Sequence, residues 1–246
     1  MEENDDNYII NIKTVQSAAF RILIEALKEI LTDTNIILDE SGIKLIATDS
    51  SKIVLIHMKL LAENFEYYHC ENKTKIGVNM NNLFKLIKIM GNNDILNLYI
   101  EKNDINRLGI RIYNENKNTQ TTFKLNLLDI SEEEINIPPA EFETELSLPS
   151  IDFQKLIRDM TNIGELVDIK SVGNNLIFNC EGDFAIQETI LSQIEENNSN
   201  NTGLKFSVSA DIDNPIQGIF SLKYLVLFTK CTNLCNLIHM YIKNDY

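Results

Sequence analysis

A thirteen-residue segment occurs twice in this chain, and this repeat constrains the fold more than any other feature of the sequence. The first copy spans residues 82–94 and the second spans residues 153–165. Lys85–Lys88 in the first copy corresponds to Lys155–Arg158 in the second, so each copy carries two bases three residues apart. On a helix these bases project from one face, while Leu, Ile and Met side chains cover the opposite face. The repeat therefore predicts a duplicated unit that contains an amphipathic helix with a basic face.

Composition and charge limit the functions that such a duplicated chain can have. With 246 residues, 44% of them hydrophobic, the chain can bury the core of one long domain or of two ordinary domains. Its formal net charge of -14 argues against indiscriminate binding to nucleic acid or to anionic membranes. Any contact with phosphate must therefore come from bases that are gathered in one place.

The sequence also carries signals about the compartment. No apolar run approaches the roughly 20 residues of a membrane span, and the acidic residues 1–6 do not resemble a signal peptide. The four cysteines are too few for a disulfide framework and stand in apolar runs, which is typical of reduced, buried thiols. These features predict a soluble intracellular protein.

Hydrophobic periodicity predicts four helices among many short strands. The predicted helices are residues 16–31, a segment around Lys85, a segment around Lys155, and residues 217–230. The predicted strands are residues 8–13, 36–38, 43–47, 53–60, 65–70, 95–101, 107–113, 121–128, 142–148, 166–171, 176–180, 184–191, 204–209 and 237–242. Each half thus has two helices among antiparallel strands, which predicts an α+β protein with internal duplication.

The boundary between the halves is predicted from a change in composition. The acidic run Ser131–Glu134 and the tandem Pro138–Pro139 show neither helical nor strand periodicity. Two consecutive prolines cannot continue a helix or lie inside a sheet. We therefore expect an N-terminal domain at residues 1–128, a connector at 129–140 and a C-terminal domain at 141–246.

Each of the four predicted helices carries two bases on one face. The eight bases are Arg21, Lys28, Lys85, Lys88, Lys155, Arg158, Lys223 and Lys230. On a single helix such a pair is typical of an ordinary solvated face. Its recurrence on all four helices of an acidic protein favours one shared basic surface, because Lys and Arg recognise backbone phosphates without reading bases.

Three groupings have the residue types of a catalytic or metal site. They are Asp49–Ser51 with His57, Cys231 with Cys235 and His239, and His69 with Cys70. The serines of the first lack a glycine elbow, so a hydrogen-bonded turn is favoured. The spacing of the second is loose for zinc and no fourth ligand is near in the sequence, so buried thiols are favoured. The third is unfavourable because adjacent strand residues face opposite sides.

Several short motifs give the chain a resemblance to a known family. They are Asp39–Leu45, Thr48–Ser51, Gly77–Asn79, Leu127–Ile130, Ile137–Pro138, Leu148–Ser150, Arg158–Glu165 and Tyr224–Lys230. In this order they resemble the DNA sliding clamp family, proliferating cell nuclear antigen, from about Tyr8 to the end of the chain. The resemblance implies two domains of one fold per subunit. It further implies a homotrimeric ring in which helices line the hole and sheets form the outer wall.

The resemblance also implies three sets of site residues. All eight helical bases match DNA-facing positions of the family, although Ile22 and Asn162 stand where the family commonly has a base and a His. The implied groove for partner peptides contains Thr48, Ile53, Leu55, Leu128, Ile137 and Pro138. The implied subunit interface pairs edge strands that contain Phe123 and Leu125 in one domain and Ile186 and Ile190 in the other.

The implied function is that of a DNA polymerase processivity factor. The expected partners are double-stranded DNA bound without sequence preference, DNA polymerase, other replication and repair proteins with clamp-binding peptides, and a clamp loader. Neither an enzymatic activity, a cofactor, a metal nor a membrane is implied, and the expected location is the nucleus or a viral replication compartment. The abundant Asn residues are typical of an AT-rich genome, such as that of a large DNA virus or a protist.

Two points stay open at the level of the sequence. An alternative is a clamp-like subunit that does not form a homotrimer, such as a viral transcription factor or a member of a heteromeric clamp. The chain is also expected to end at Tyr246 before the last strands of the family, which in the family help to complete the peptide groove.

Overall fold

The computed structural model describes residues 5–131, 135–194 and 203–244. The chain divides into two compact units, an N-terminal unit at Met1–Asn136 and a C-terminal unit at Ile137–Tyr246. Part of the predicted connector, residues 132–134, lies outside the described residues, as do residues 195–202.

The described part of the N-terminal unit contains two α-helices and nine strands. The helices are α1 at Ser17–Leu27 and α2 at Met80–Ile87. The strands are β1 Tyr8–Thr14, β2 Asp33–Asp39, β3 Gly42–Thr48, β4 Leu55–Leu61, β5 Tyr67–Cys70, β6 Thr74–Asn79, β7 Ile95–Glu101, β8 Arg107–Asn114 and β9 Thr119–Asn126. They form a five-stranded sheet in the order β5-β1-β7-β8-β9 and a four-stranded sheet in the order β4-β3-β2-β6.

The described part of the C-terminal unit repeats this arrangement with fewer strands. Its helices are α3 at Ser150–Met160 and α4 at Leu222–Thr229. The strands are β10 Thr144–Pro149, β11 Leu166–Val172, β12 Asn175–Glu181, β13 Ile186–Ser192, β14 Lys205–Val208, β15 Ile216–Ser221 and β16 Leu237–Ile242. They form a four-stranded sheet in the order β13-β12-β11-β15 and a three-stranded sheet in the order β14-β10-β16.

Both units exchange strands between their two sheets in the same way. In the N-terminal unit the strand before each helix pairs with the strand after the other helix, so β1 pairs with β7 and β6 pairs with β2. In the C-terminal unit β10 pairs with β16 and β15 pairs with β11 by the same rule. All of these pairs are antiparallel. The shared topology confirms the predicted α+β fold with internal duplication.

Each unit has its own hydrophobic core between its helices and its sheets. In the N-terminal unit the alternating apolar residues of the strands, such as Ile10, Leu45 and Ile110, pack with Met80 and Ile87 of α2. The C-terminal unit buries Ile157 of α3 against apolar strand residues in the same manner. The burial of one face of each sheet fixes the register, because a shift by one residue would expose the apolar set.

The structure corrects the predicted helix at residues 217–230. Ile216–Ser221 is strand β15, paired with β11, and the helix begins only at Leu222. The apolar residues of this segment fit both periods, and pairing with β11 decides in favour of the strand. The structure also adds strand β6, which the sequence analysis treated only as a motif before α2.

No helix within the described part of the chain is long and apolar enough to cross a membrane.

Candidate nucleic-acid interface

Helices α2 and α3 bury equivalent faces, because their apolar residues follow the same spacing. In α2 the buried side chains include Leu83, Ile87 and, just beyond the helix, Met90. The corresponding residues of α3 lie seventy positions later and are also buried; they are Phe153, Ile157 and Met160. Helix α2 begins where the Asn79 side chain accepts a hydrogen bond from the Asn82 backbone N–H, at 2.9 Å.

The same packing leaves equivalent bases in water. Lys85 and Lys88 are exposed on α2, and Lys155 and Arg158 are exposed at the corresponding positions of α3. Lys85 and Arg158 also stand in the last turns of their helices. A cation there is favoured by the partial negative charge of the helix C-terminus. Each of these two helices thus presents a pair of bases away from its core.

Helix α4 contributes two more exposed bases, Lys223 and Lys230. The Lys223 ammonium lies 5.8 Å from the ring centroid of Tyr224, within the range of a cation–π contact. Lys230 follows directly after the last residue of α4. The exposed side of this helix therefore carries positive charge, as in α2 and α3.

Helix α1 differs from the other three helices. Arg21 and Lys28 are only partly exposed, whereas the exposed positions are occupied by Glu25 in the helix and by Glu29 just beyond its end. The Lys28 ammonium pairs with the Glu29 carboxylate at 2.5 Å and lies 4.8 Å from the ring centroid of Phe84 in α2. The spacing of the two bases predicted a shared face correctly, but it did not reveal that this face packs beside α2.

The Arg21 guanidinium also points to the end of α2. It donates hydrogen bonds to the Met90 carbonyl oxygen and to Asn92 Oδ1, both at 3.1 Å. Met90 and Asn92 were missed as functional neighbours of Arg21, because they lie about seventy residues away in the sequence. The only sequence signal is that both residues belong to the repeated segment.

Three of the predicted groove residues lie together at one edge of the four-stranded N-terminal sheet. Thr48 at the end of β3 is directly opposite Leu55 at the start of β4, and Ile53 in the intervening loop is 71% exposed. The loop is held by Asp49, which accepts hydrogen bonds from the Ile53 and Val54 backbone N–H groups at 2.8 Å. Asp49 also accepts from the Ser51 hydroxyl and N–H, which confirms the predicted turn.

Leu128 is at the opposite edge of that sheet. Its backbone N–H donates to the Gly77 carbonyl oxygen of β6 at 2.8 Å. A side chain at Gly77 would meet the Leu128 carbonyl oxygen at 2.3 Å, so only glycine permits this close approach. Strands β2 and β3 separate β6 from β4, so Leu128 does not adjoin Leu55. The carbonyl oxygen of Ile130, the last residue of the motif Leu127–Ile130, accepts a hydrogen bond from the Asn35 side chain.

The remaining two groove residues open the C-terminal unit. Ile137 and Pro138 are both exposed and precede β10 in a segment without regular secondary structure. Exposed apolar side chains in such a segment cost solvation free energy unless a ligand or partner covers them.

The predicted interface strands are both edge strands of their sheets. Strand β9 ends the five-stranded sheet, and strand β13 ends the four-stranded sheet of the C-terminal unit. Phe123 and Leu125 of β9 are partly buried against the core of their own unit. Ile186 and Ile190 of β13 are 74% and 53% exposed. The two strands thus offer different side-chain surfaces to a neighbour.

The cysteine and histidine grouping of the C-terminal unit lies at a largely apolar cavity of about 260 Å³. Cys231, Cys235 and His239 line it together with apolar residues such as Phe153 and Phe228. Burial raises the pKa of the Cys231 thiol, and the neighbouring Cys235 raises it further. Within the described residues no group of three or more His, Cys, Asp or Glu side chains is placed to hold a metal ion.

Comparison with known proteins identifies the two halves of the chain. Residues 9–134 match the proliferating cell nuclear antigen N-terminal domain, and residues 136–246 match the C-terminal domain. The probable DNA polymerase sliding clamp 1 of Paramecium bursaria Chlorella virus 1 is 34% identical over 247 residues, which is 99% of this chain and 91% of that protein. The proliferating cell nuclear antigen of Chaetomium thermophilum is 29% identical over 241 residues, which is 96% of this chain and 90% of that protein.

The match to both family domains agrees with the duplicated topology, with the strand exchange in each unit and with the bases on the helices. On these grounds the chain belongs to the proliferating cell nuclear antigen family.

Proposed function

We propose that this chain is the subunit of a sliding clamp, a ring that encircles duplex DNA and acts as a processivity factor for DNA polymerase. The names of two relatives support the proposal, since one is a probable DNA polymerase sliding clamp and the other a proliferating cell nuclear antigen. The ring is a homotrimer in which the helices face the DNA. The chain itself performs no chemical reaction and serves as a tether.

The observation that carries this proposal is the equivalent placement of bases on α2 and α3. Lys85 and Lys155 stand at matching exposed positions of the sequence repeat, as do Lys88 and Arg158, although one copy lies on the second helix of its unit and the other on the first. The whole chain has a net charge of -14, so bases concentrated on helices create a local surface of opposite sign. Such a surface attracts DNA only where the bases are, which suits a protein that must bind inside a hole and nowhere else.

The physical logic of a closed ring favours weak contacts. Topological closure prevents escape, so the bases need not hold any one phosphate tightly. Contacts between Lys or Arg and phosphate carry no sequence information and are easily exchanged along the duplex. A clamp can therefore slide while it remains on the DNA.

The proposed partners bind elsewhere on the chain. Exposed Ile53 and Leu55, with Thr48 beside them, form the anchor region for a peptide of the type Gln-x-x-aliphatic-x-x-aromatic-aromatic. Leu128, at the opposite edge of that sheet, and Ile137 and Pro138, at the start of the C-terminal unit, are further proposed contacts for partner proteins. Through these residues the clamp holds DNA polymerase and other replication and repair proteins. A clamp loader closes the ring on DNA, in the nucleus or at a site of viral replication.

The test of this proposal removes one base from each repeated helix. Lys85→Ala with Lys155→Ala should weaken binding to duplex DNA and flatten the dependence of log affinity on log salt by about 1 or more. Both side chains are exposed, so the free energy of unfolding should change by no more than about 0.5 kcal/mol. Affinity at several salt concentrations and stimulation of a cognate polymerase on primed circular DNA are the measurements.

The matched control removes the same charge away from the helices. Lys117 lies in the turn between β8 and β9, and Lys205 lies on β14, so the control also takes one exposed base from each unit. Lys117→Ala with Lys205→Ala should leave the salt slope and polymerase stimulation close to wild type. Equal losses in the two double variants would show that the helices do not form the DNA-facing surface.

A further inference from the structure

The two bases of α1 are directed at α2 instead of at solvent. Arg21 bridges the Met90 carbonyl oxygen and Asn92 Oδ1, in the turn that follows α2. One helical turn earlier on α1, the Ser17 hydroxyl donates to the Gly91 carbonyl oxygen at 3.1 Å. Two side chains of α1 thus hold three consecutive residues where α2 ends.

The Met90 and Gly91 carbonyl groups lie beyond Ile87, the last residue of α2, and accept their hydrogen bonds from α1. A cation close to the end of a helix is also favoured by the helix dipole. A guanidinium presents several N–H donors in a planar fork, so one Arg side chain can bridge two acceptors. The fork of Arg21 is used in this way, with both of its terminal nitrogens engaged.

The C-terminal unit makes the corresponding contacts with uncharged side chains. Ser150 of α3 donates to the Cys235 carbonyl oxygen at 2.6 Å, beyond the end of α4. Gln154 donates through Nε2 to the Thr229 carbonyl oxygen, the last residue of α4, at 2.8 Å. Ser150 and Gln154 are four residues apart, as are Ser17 and Arg21. An amide at the position of Arg21 therefore suffices to hold the neighbouring helix in the repeated unit.

The exposed face of α1 supports the same conclusion. Its exposed position is Glu25, and Glu29 is exposed just beyond its end; both carboxylates would repel phosphate. Lys28 is paired with Glu29 and lies over the Phe84 ring of α2. The charge of α1 is thus largely balanced locally, whereas α2 exposes Lys85 and Lys88.

We infer that Arg21 is a positioning residue, which fixes the end of α2 and so the direction of Lys85 and Lys88, and is not itself a phosphate-binding base. The inference rests on the proposed function, because the purpose assigned to this positioning is DNA binding. It narrows the DNA contacts of the N-terminal unit to the two bases on α2.

Two conservative substitutions separate positioning from charge. Arg21→Gln removes the charge and supplies the side chain that the C-terminal unit uses for the same contact. Arg21→Lys keeps the charge, but a single ammonium does not reproduce the planar fork. If Arg21 positions α2, the Arg21→Gln variant should retain the wild-type DNA affinity within about twofold and keep the wild-type salt slope, and the Arg21→Lys variant should bind DNA more weakly than Arg21→Gln. If Arg21 binds phosphate, Arg21→Lys should instead bind DNA more tightly than Arg21→Gln, and Arg21→Gln should flatten the salt slope. That result would overturn the inference.

A readout without DNA keeps this result distinct from a failure of the proposed function. Amide hydrogen exchange in residues 88–94 should speed up about tenfold in Arg21→Ala and stay near wild type in Arg21→Gln. Unchanged exchange in Arg21→Ala would overturn the positioning role whatever the protein binds. Loss of protection in Arg21→Ala combined with no DNA binding by the wild type would confirm that Arg21 holds the turn after α2. It would also reject DNA binding as the purpose of that contact, so the inference would fail together with the proposed function.

Discussion

At the scale of single residues, Asp49 determines how apolar side chains are presented to a partner. Its carboxylate is only 7% exposed and accepts hydrogen bonds from the backbone of the loop between β3 and β4. Four or five residues of loop are thereby fixed around one charged group, as in an Asx-type turn. The loop then holds the Ile53 side chain in solvent, where a partner can cover it.

A substitution in this region tests the proposed peptide groove. Leu55→Arg places a charge where an aromatic or aliphatic anchor of the peptide would be buried, so the affinity should fall by at least about tenfold, or about 1.4 kcal/mol. The measurement is fluorescence anisotropy with a labelled peptide of the pattern Gln-x-x-Ile-x-x-Phe-Phe. Asn103→Arg adds the same charge in the exposed turn between β7 and β8 and should leave the affinity unchanged. Equal binding by both variants would place the peptide elsewhere.

The residue scale also shows what a sequence pattern can determine. The exposure of Lys85, Lys88, Lys155 and Arg158 follows from helical spacing, because apolar residues on the opposite face select the buried side. The engagement of Arg21 does not follow from spacing, since its acceptors belong to another helix. A base and an amide, Arg21 and Gln154, fill the same role in the two units, and no pattern of residue types links them.

At the scale of elements, the strand and helix at residues 216–229 explain the main error of the sequence analysis. Ile216, Ile219, Leu222 and Leu225 recur at helical spacing, which predicted one continuous helix. Strand β15 forms instead because its backbone completes the sheet beside β11. Gly218 within the segment is a poor helix residue, by about 1 kcal/mol relative to Ala, and was the local signal against a helix. Pairing with β11 thus outweighed the helical periodicity in the first half of the segment, and the prediction of a helix holds only for the second half, Leu222–Thr229.

Edge strands provide the prediction at this scale. Ile186 and Ile190 of β13 are exposed, so Ile186→Asp with Ile190→Asp should dissociate the proposed trimer into monomers without unfolding them. Phe123 and Leu125 are a poorer test, because they pack against the core of their own unit and their replacement should also cost about 2–4 kcal/mol of stability. Mass from light scattering and thermal unfolding are the measurements.

The control for this variant lies on the other side of the same sheet, on edge strand β15 and its neighbour β11. Ile219 of β15 and Leu166 of β11 are also exposed, at 71% and 55%. Ile219→Asp with Leu166→Asp introduces the same charges at comparable exposure and should leave the trimer intact. A trimer that survives the β13 substitutions, or dissociates equally in both variants, would show that β13 is not the joint.

At the scale of the whole molecule, duplication accounts for most of what the sequence made predictable. The repeated segment predicted two units of one α+β fold, and both units exchange strands by the same rule. The two copies of the segment nevertheless lie at different places in the fold, because the exchange makes α1 the counterpart of α3 and α2 the counterpart of α4. The exchange itself was not predictable from local patterns, since its paired residues lie between 36 and 98 positions apart in the sequence. The family resemblance rests on motifs in a fixed order, whereas the contacts of α1 with residues 90–92 became visible only in the structure.

The last prediction separates a closed ring from a protein that merely adheres to DNA. A closed trimer can thread onto a linear duplex from its ends, so no loader is required. Blocking both ends with streptavidin on biotinylated DNA should then trap it. At about 0.5 M salt, where phosphate contacts are strongly screened, trapped clamps should remain on blocked DNA and leave open-ended DNA. A subunit of a heteromeric clamp, or any open clamp-like protein, depends on contacts alone and should leave both DNAs at the same rate. Retention that depends on blocked ends is therefore expected for the wild type, and it should vanish in the Ile186→Asp, Ile190→Asp variant because an opened ring has no topological hold.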